Sequence, residues 1–231
     1  MHHNQTIVFK THFQTVCIKR EDLLHPFVSG NKFRKLKYNL AAAKNINATT
    51  LLTFGGAFSN HIAAVAFAGK ENGFKTIGII RGEELEDQIS VNPTLKFAQE
   101  QGMHFKFVSR TAYRIKDSQE FLSQLHEEFG SFYWLPEGGA NTLAVKGCEE
   151  ILTPEDATFD YICCAVGTGG TIAGIIKSTL PHQKVLGFPA LKGDFLSNDI
   201  RKFAHNERFE LIDDYHFGGY AKVTPELILF I

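Results

Sequence analysis

The chain has 231 residues, 44% of them hydrophobic and 21% charged, with a formal net charge of −1. That is the composition of a globular protein with a sizeable core, in one large or two modest domains. So little net charge supplies no field for nucleic acid or anionic lipid, and no apolar run reaches the roughly 18–20 residues of a membrane helix. The first ten residues lack the shape of a signal peptide, which makes the cytoplasm the expected compartment. Cys17, Cys148, Cys163 and Cys164 show neither metal nor redox spacing and are expected as buried, reduced thiols.

The first strong signal is Ser29-Gly30-Asn31, followed by a helical stripe of Phe33, Leu36, Leu40 and Ala43, with Asn31 as the expected cap. Lys32 falls in the first turn of that helix and Lys35 one turn later. Cations are disfavoured at a helix N-terminus. The pair is therefore either a solvated basic helix start or the lining of an anion site. In the second case one lysine is desolvated, its pKa is lowered and its amine is a nucleophile, which suits Schiff-base formation with an aldehyde cofactor.

A strand over 51–54 runs into Gly55-Gly56 and then Ser59-Asn60-His61, where Ser59 or Asn60 caps a helix rich in small residues. Such a helix start receives a carboxylate on its free N–H groups, or is a plain cap with His61 as a packing residue. His61 has no metal-spaced partner. A strand over 76–81 precedes a helix that Asn92 caps, Pro93 begins and Gly102 stops. A strand over 104–108 precedes another, with Asp117 and Glu120 at capping-box spacing, a Phe121, Leu125, Phe129 stripe and a stop at Gly130.

The strand over 132–135 leads to Gly138-Gly139, and the strand over 161–166 to Gly167-Thr168-Gly169-Gly170-Thr171. This second loop is either a tight strand-to-helix turn or a phosphate cup of backbone N–H groups and hydroxyls; the glycine spacing of a dinucleotide fold is lacking. Strands over 184–188 and 209–212 follow. A Thr224-Pro225 helix start then ends on Leu-Ile-Leu-Phe-Ile, which reads as a chain cut short. Strands alternating with helices predict an α/β protein with parallel sheets, and the glycine loops at the strand ends are the candidate site loops.

Taken together, "SGNKFRKLKY", "GGAFSNH", "LPEGGAN" and "GTGGTIAG", in this order, resemble the 1-aminocyclopropane-1-carboxylate deaminase/D-cysteine desulfhydrase family. The resemblance runs from about Cys17 to the last residue. It implies two three-layer α/β/α domains of the tryptophan-synthase-β type (fold type II), with pyridoxal 5'-phosphate (PLP) as cofactor, a small amino acid as substrate and a homodimer as the assembly. Residues 1–43 and 131–231 would form the large domain, and 44–130 the inserted small one. By position, Lys32 is implied as the Schiff-base lysine and proton carrier, with Asn31 beside it. Lys35 and Gly167, Thr168, Gly169, Gly170 and Thr171 are implied at the cofactor phosphate, and Asn60 at its phenolic oxygen. Ser59, Asn60 and His61 are implied at the substrate, with Ser59 and Tyr220 taking part in the chemistry. Ala57-Phe58 departs from the family's frequent Ile-Gln, and the family's later Tyr-x-Gly-Lys and His-Thr-Gly-Gly segments do not occur.

Overall fold

The computed structural model describes residues 4–9, 14–193, 195–219 and 222–231. By packing, the chain divides into two units, Met1–Gly139 and Ala140–Ile231.

The first unit opens with an antiparallel hairpin of β1 (Asn4–Phe9) and β2 (Gln14–Lys19), paired from Asn4 with Lys19 to Phe9 with Gln14. Sequence patterning does not predict this hairpin. Val8, Val16 and Ile18 are exposed, so its strands carry no burial pattern to read. Then come α1 (Asn31–Asn45), β3 (Thr50–Gly55), α2 (Asn60–Glu71), β4 (Lys75–Arg81), α3 (Pro93–Glu100) and β5 (His104–Val108). The unit closes with α4 (Arg110–Arg114), α5 (Gln119–Phe129) and β6 (Tyr133–Leu135). Its four strands pair in parallel in the order β5-β4-β3-β6.

Both faces of this sheet are covered, because alternate residues of a strand point to opposite sides. Leu51, Ile80 and Leu135 pack with Leu36 of α1, Ile62 and Val65 of α2, and Leu95 of α3. Leu52, Phe54, Ile77 and Ile79 pack with Tyr113 of α4 and Phe121 and Leu125 of α5.

The helix ends follow the predicted signals with two shifts. Asn92 caps α3 by accepting from the N–H groups of Thr94 and Leu95, and Gly102 and Gly130 follow α3 and α5 at φ +88° and +72°. For α5 the cap is Ser118, whose Oγ accepts from the Phe121 N–H at 3.2 Å, one residue later than Asp117. For α1 the chain enters through Gly30 at φ +59°, a conformation favoured by glycine, so Asn31 is the first helical residue and no side chain caps the helix.

The second unit contains α6 (Thr142–Cys148), β7 (Tyr161–Val166), α7 (Gly170–Ser178), β8 (Lys184–Pro189), α8 (Phe195–Arg201), β9 (Phe209–Leu211) and α9 (Pro225–Phe230). Its sheet is parallel, in the order β7-β8-β9. Val166 and Val185 pack with Val145 of α6, Ile172 and Ile176 of α7, and Leu196 and Ile200 of α8. Residues of β7 that point the other way are open, Tyr161 at 63% exposure and Cys163 with it. The expectation of four buried thiols is corrected here. None of the four is in a disulfide, but only Cys148 is buried; Cys163 is exposed, and Cys17 and Cys164 are half-buried. An apolar run reads as buried on both faces, yet β7 is an edge strand with a core on one side.

Two helices meet closely where α7 crosses α6. A Cβ added at Gly174 would lie 2.4 Å from the Cβ of Cys148 and 2.7 Å from the Val145 carbonyl oxygen. Neither neighbour is the end of a flexible side chain. Gly174→Ala is expected to cost about 1–3 kcal/mol through overpacking, measured as a lower urea midpoint at unchanged m. Among the described residues no helix is long and apolar enough to cross a membrane.

Candidate active site

The start of α1 is held from two sides. Arg34, facing back from the second turn, donates to both carboxylate oxygens of Glu21, Nε to Oε2 at 2.8 Å and Nη2 to Oε1 at 3.0 Å. The backbone carbonyl of the same Glu21 accepts from the Gly30 N–H at 3.1 Å. One residue thus fixes both the entry turn and the first turns of the helix that carries the two lysines.

Lys32 and Lys35 converge. Their Nζ atoms donate to a single acceptor, the Gly138 carbonyl oxygen, at 3.2 and 2.9 Å. Lys35 is 2% exposed and Lys32 half-buried. Two cations brought to one carbonyl, at a helix start where the dipole also disfavours them, are a placement that suits an anion.

The acceptor is displayed by the turn after β6, in which Gly138 and Gly139 take φ +65° and +70°. A Cβ on Gly139 would lie 3.1 Å from His61 Cε1, 3.5 Å from His61 Nδ1 and 3.6 Å from Lys35 Cδ. Backbone conformation and close approach therefore both call for glycine here. Glu137 in the same turn is paired with Lys116 at 3.3 Å.

The loop from β3 brings in the second group. Ser59 is the N-cap of α2, its Oγ accepting from the Ile62 N–H at 3.4 Å, and helix geometry leaves the N–H groups of Asn60 and His61 without intrahelical acceptors. Asn60 is exposed. The His61 side chain points inward: it is 1% exposed, and neither ring nitrogen has a hydrogen-bond partner. Burial, then the charges of Lys32 and Lys35, push its pKa well below the ordinary imidazole value of 6.5, while the Pro136 carbonyl, outside hydrogen-bond geometry, pulls the other way.

That shift has a sign. The unfolded chain takes up a proton on this imidazole below pH 6.5 and the folded chain does not. Stability from this group is therefore whole above that pH and declines as the pH falls below it. His61→Gln is expected to flatten the acid side of a plot of unfolding free energy against pH, measured by urea titration from pH 7.5 to 5.

In the second unit, Gly167 to Gly169 join β7 to α7, whose first residues are Gly170 and Thr171. Gly169 is the N-cap of α7, in the left-handed region at φ +79°, so no side chain closes the helix start. A Cβ at Gly167 would meet nothing within 4 Å, leaving the backbone open to a ligand. Uncapped N–H groups at the positive end of a nine-residue helix, with Thr168 exposed and Thr171 half-buried beside them, are the donor set a phosphate requires.

Of the predicted residues, Lys32, Lys35 and His61 therefore gather at Gly138-Gly139, with Ser59 and Asn60 at the adjoining helix start. Asn31 is half-buried at the first position of α1. Gly167 to Thr171 form the uncapped helix start just described, and Tyr220 lies outside the described residues. Sequence reasoning assigned no role to the Gly138 carbonyl or to the Glu21–Arg34 pair. The adjacent glycines between a strand and a helix were the available signal for the first; nothing in the sequence marks the second.

Residues 3–202 match the family model described as pyridoxal-phosphate dependent enzyme. A Thermotoga maritima protein provisionally named 1-aminocyclopropane-1-carboxylate deaminase is 34% identical, over 91% of this chain and 73% of that protein. The mitochondrial bifunctional D-cysteine desulfhydrase/1-aminocyclopropane-1-carboxylate deaminase of Arabidopsis thaliana is also 34% identical, over 93% of this chain and 60% of its own length. Among solved structures, an ACC deaminase homologue superposes with a TM-score of 0.75 at 30% identity, covering 91% of this chain and 69% of that one. A lysine amine at the start of α1 and, in the second unit, an uncapped helix start after a glycine turn are each a kind of group that the family's cofactor takes. The chain belongs to the pyridoxal-phosphate dependent enzymes, of fold type II, and is similar over nine-tenths of its length to members of the 1-aminocyclopropane-1-carboxylate deaminase/D-cysteine desulfhydrase group.

Proposed function

We propose that the chain is a PLP-dependent lyase or deaminase of a small amino acid, of the 1-aminocyclopropane-1-carboxylate deaminase or D-cysteine desulfhydrase type. It releases ammonia and a 2-oxo acid, and acts as a cytoplasmic homodimer. The observation that supports it is the placement of two lysine amines on the Gly138 carbonyl, in a chain of this family.

Bound PLP would supply the electron sink that lets a bond at the substrate α-carbon break. The side chains divide the remaining work. Lys32 would hold the cofactor's aldehyde carbon and would move a proton at the substrate α-carbon or ring methylene. Lys35 and Gly167 to Thr171 would hold the phosphate, and Asn60, next to the Ser59 cap, would hold the phenolic oxygen, with Asn31 beside Lys32. The Ser59 hydroxyl and the first N–H groups of α2 take the substrate carboxylate. Tyr220 is assigned to the substrate side. On this reading 44–130 is the small domain, and 1–43 with 131–231 the large one.

Ser59-Asn60-His61 favours the D-cysteine branch: D-cysteine and water give pyruvate, sulfide and ammonia. The other branch takes 1-aminocyclopropane-1-carboxylate and water to 2-oxobutyrate and ammonia. Purified protein loaded with PLP is expected to show a visible absorbance band that Lys32→Ala removes, and to release one of these keto acids. A band without either keto acid would make the chain a cofactor-binding protein without this turnover. No Lys32-dependent band would end the reading altogether.

A further inference from the structure

His61 poses a problem that the proposed function does not solve. A neutral imidazole has one donor and one acceptor, and leaving such groups buried without partners is destabilising. His61 is 1% exposed with both nitrogens unpartnered. The described groups around it are few. Gly139 packs on the ring at 3.1 Å from Cε1, by the position its Cβ would take, and the Lys35 stem lies against the same point at 3.6 Å. Lys32 and Lys35 act on the ring from α1 through their charges, and the Pro136 carbonyl faces it from the turn.

Lys35 is the more deeply buried of the two, with its amine 2.9 Å from Gly138 O. Lys32 is half-buried, with the longer bond of 3.2 Å to the same oxygen. A lysine that must alternate between cofactor and substrate changes its hydrogen-bond partner during each turnover. A nearby acceptor that carries no charge receives it without trapping it in an ion pair.

We propose that His61 is a positioning residue for Lys32: its imidazole is a neutral acceptor that takes the Lys32 amine when that amine leaves the Gly138 carbonyl. The ring N–H then donates to the Pro136 carbonyl, so one small shift satisfies both nitrogens. No proton is transferred in this exchange. Lys32 remains the donor, the imidazole stays neutral, and the amine gains a second fixed rest position from which it returns to the cofactor. This rests on the reading of Lys32 given under Proposed function, and it assigns the His61 side chain a partner other than the substrate.

The test uses full-length holoprotein with bound PLP, in wild type, His61→Leu, His61→Gln and His61→Asn. After a limiting pulse of D-cysteine or 1-aminocyclopropane-1-carboxylate, the return of the Lys32-dependent visible band is followed by stopped-flow absorbance. His61→Leu is expected to keep the starting band and slow its return about tenfold, which corresponds to about 1.4 kcal/mol. His61→Gln or His61→Asn, which retain a neutral acceptor, are expected to recover most of the rate. A His61→Leu band that returns at the wild-type rate overturns the proposal. So do amide variants that fold, by thermal melting, and yet are as slow as leucine. A wild-type protein with no Lys32-dependent band overturns the parent reading and this one with it; a normal band with undisturbed kinetics in every variant overturns this one alone.

Discussion

Lys32→Ala is expected to lower keto-acid release by at least about a thousandfold while leaving the protein folded. On the proposed reading the amine is both the attachment point for the cofactor's aldehyde and the group that moves the proton, so its removal strikes two steps at once. Lys35 does not replace it. Its amine is buried, its stem is packed at Gly139, and it is bound to Gly138 O at 2.9 Å. Lys32→Arg is expected to be equally inactive, because a guanidinium is not deprotonated in proteins and so supplies no nucleophilic amine. Stability should change little, since Lys32 is half-buried and the Gly138 carbonyl keeps Lys35 as a donor. Keto-acid assays, the visible spectrum and a thermal melt on the same preparations check all three statements. A Lys32→Ala protein that retains the band and turns over substrate would be incompatible with the site as drawn.

Glu21→Ala is expected to be the most destabilising of the single changes considered, by about 3–5 kcal/mol in urea unfolding, because it removes the carboxylate paired with a buried cation. The side chains of Arg34 and Glu21 are only 7% and 15% exposed, and the guanidinium reaches both carboxylate oxygens. Solvent screening discounts such a pair little at this depth. Glu21→Gln keeps an acceptor but loses the charge, and is expected to fall between wild type and alanine. A functional loss should accompany the structural one. Arg34 lies between Lys32 and Lys35 in sequence, so loosening its anchor loosens the placement of both amines, and PLP affinity should fall with stability. Glu21→Ala with unchanged midpoint and unchanged PLP affinity would show that the pair is dispensable.

Much of this was legible in the sequence. Every strand of the two parallel sheets was predicted from short apolar runs, because strands of a covered parallel sheet are rich in apolar residues. Asn92, Ser59 and Thr224 were readable as caps, since a side-chain acceptor ahead of a helix leaves few alternatives. The lysine pair was conspicuous because its charge opposed the dipole of its own helix.

Other features depended on packing between segments distant in sequence. The hairpin β1–β2 escaped because its exposed strands have no core to face. The caps of α1 and α5 moved by one residue, since the chain's entry direction selects among adjacent candidates. What the lysines touch was the largest unknown. Gly138 lies about a hundred residues from them and contributes only a carbonyl, a group every residue carries, so the glycine pair marks the turn but not what its carbonyl meets. The burial of His61 was undecided for a similar reason: a polar residue on a helix points to solvent or to the core according to what packs against it. Local chemistry therefore determined the elements and the lysine pair, while the acceptor that gathers the lysines and the ring beside it were decided by the parallel sheet, which brings β3 and β6 side by side and places their following turns together.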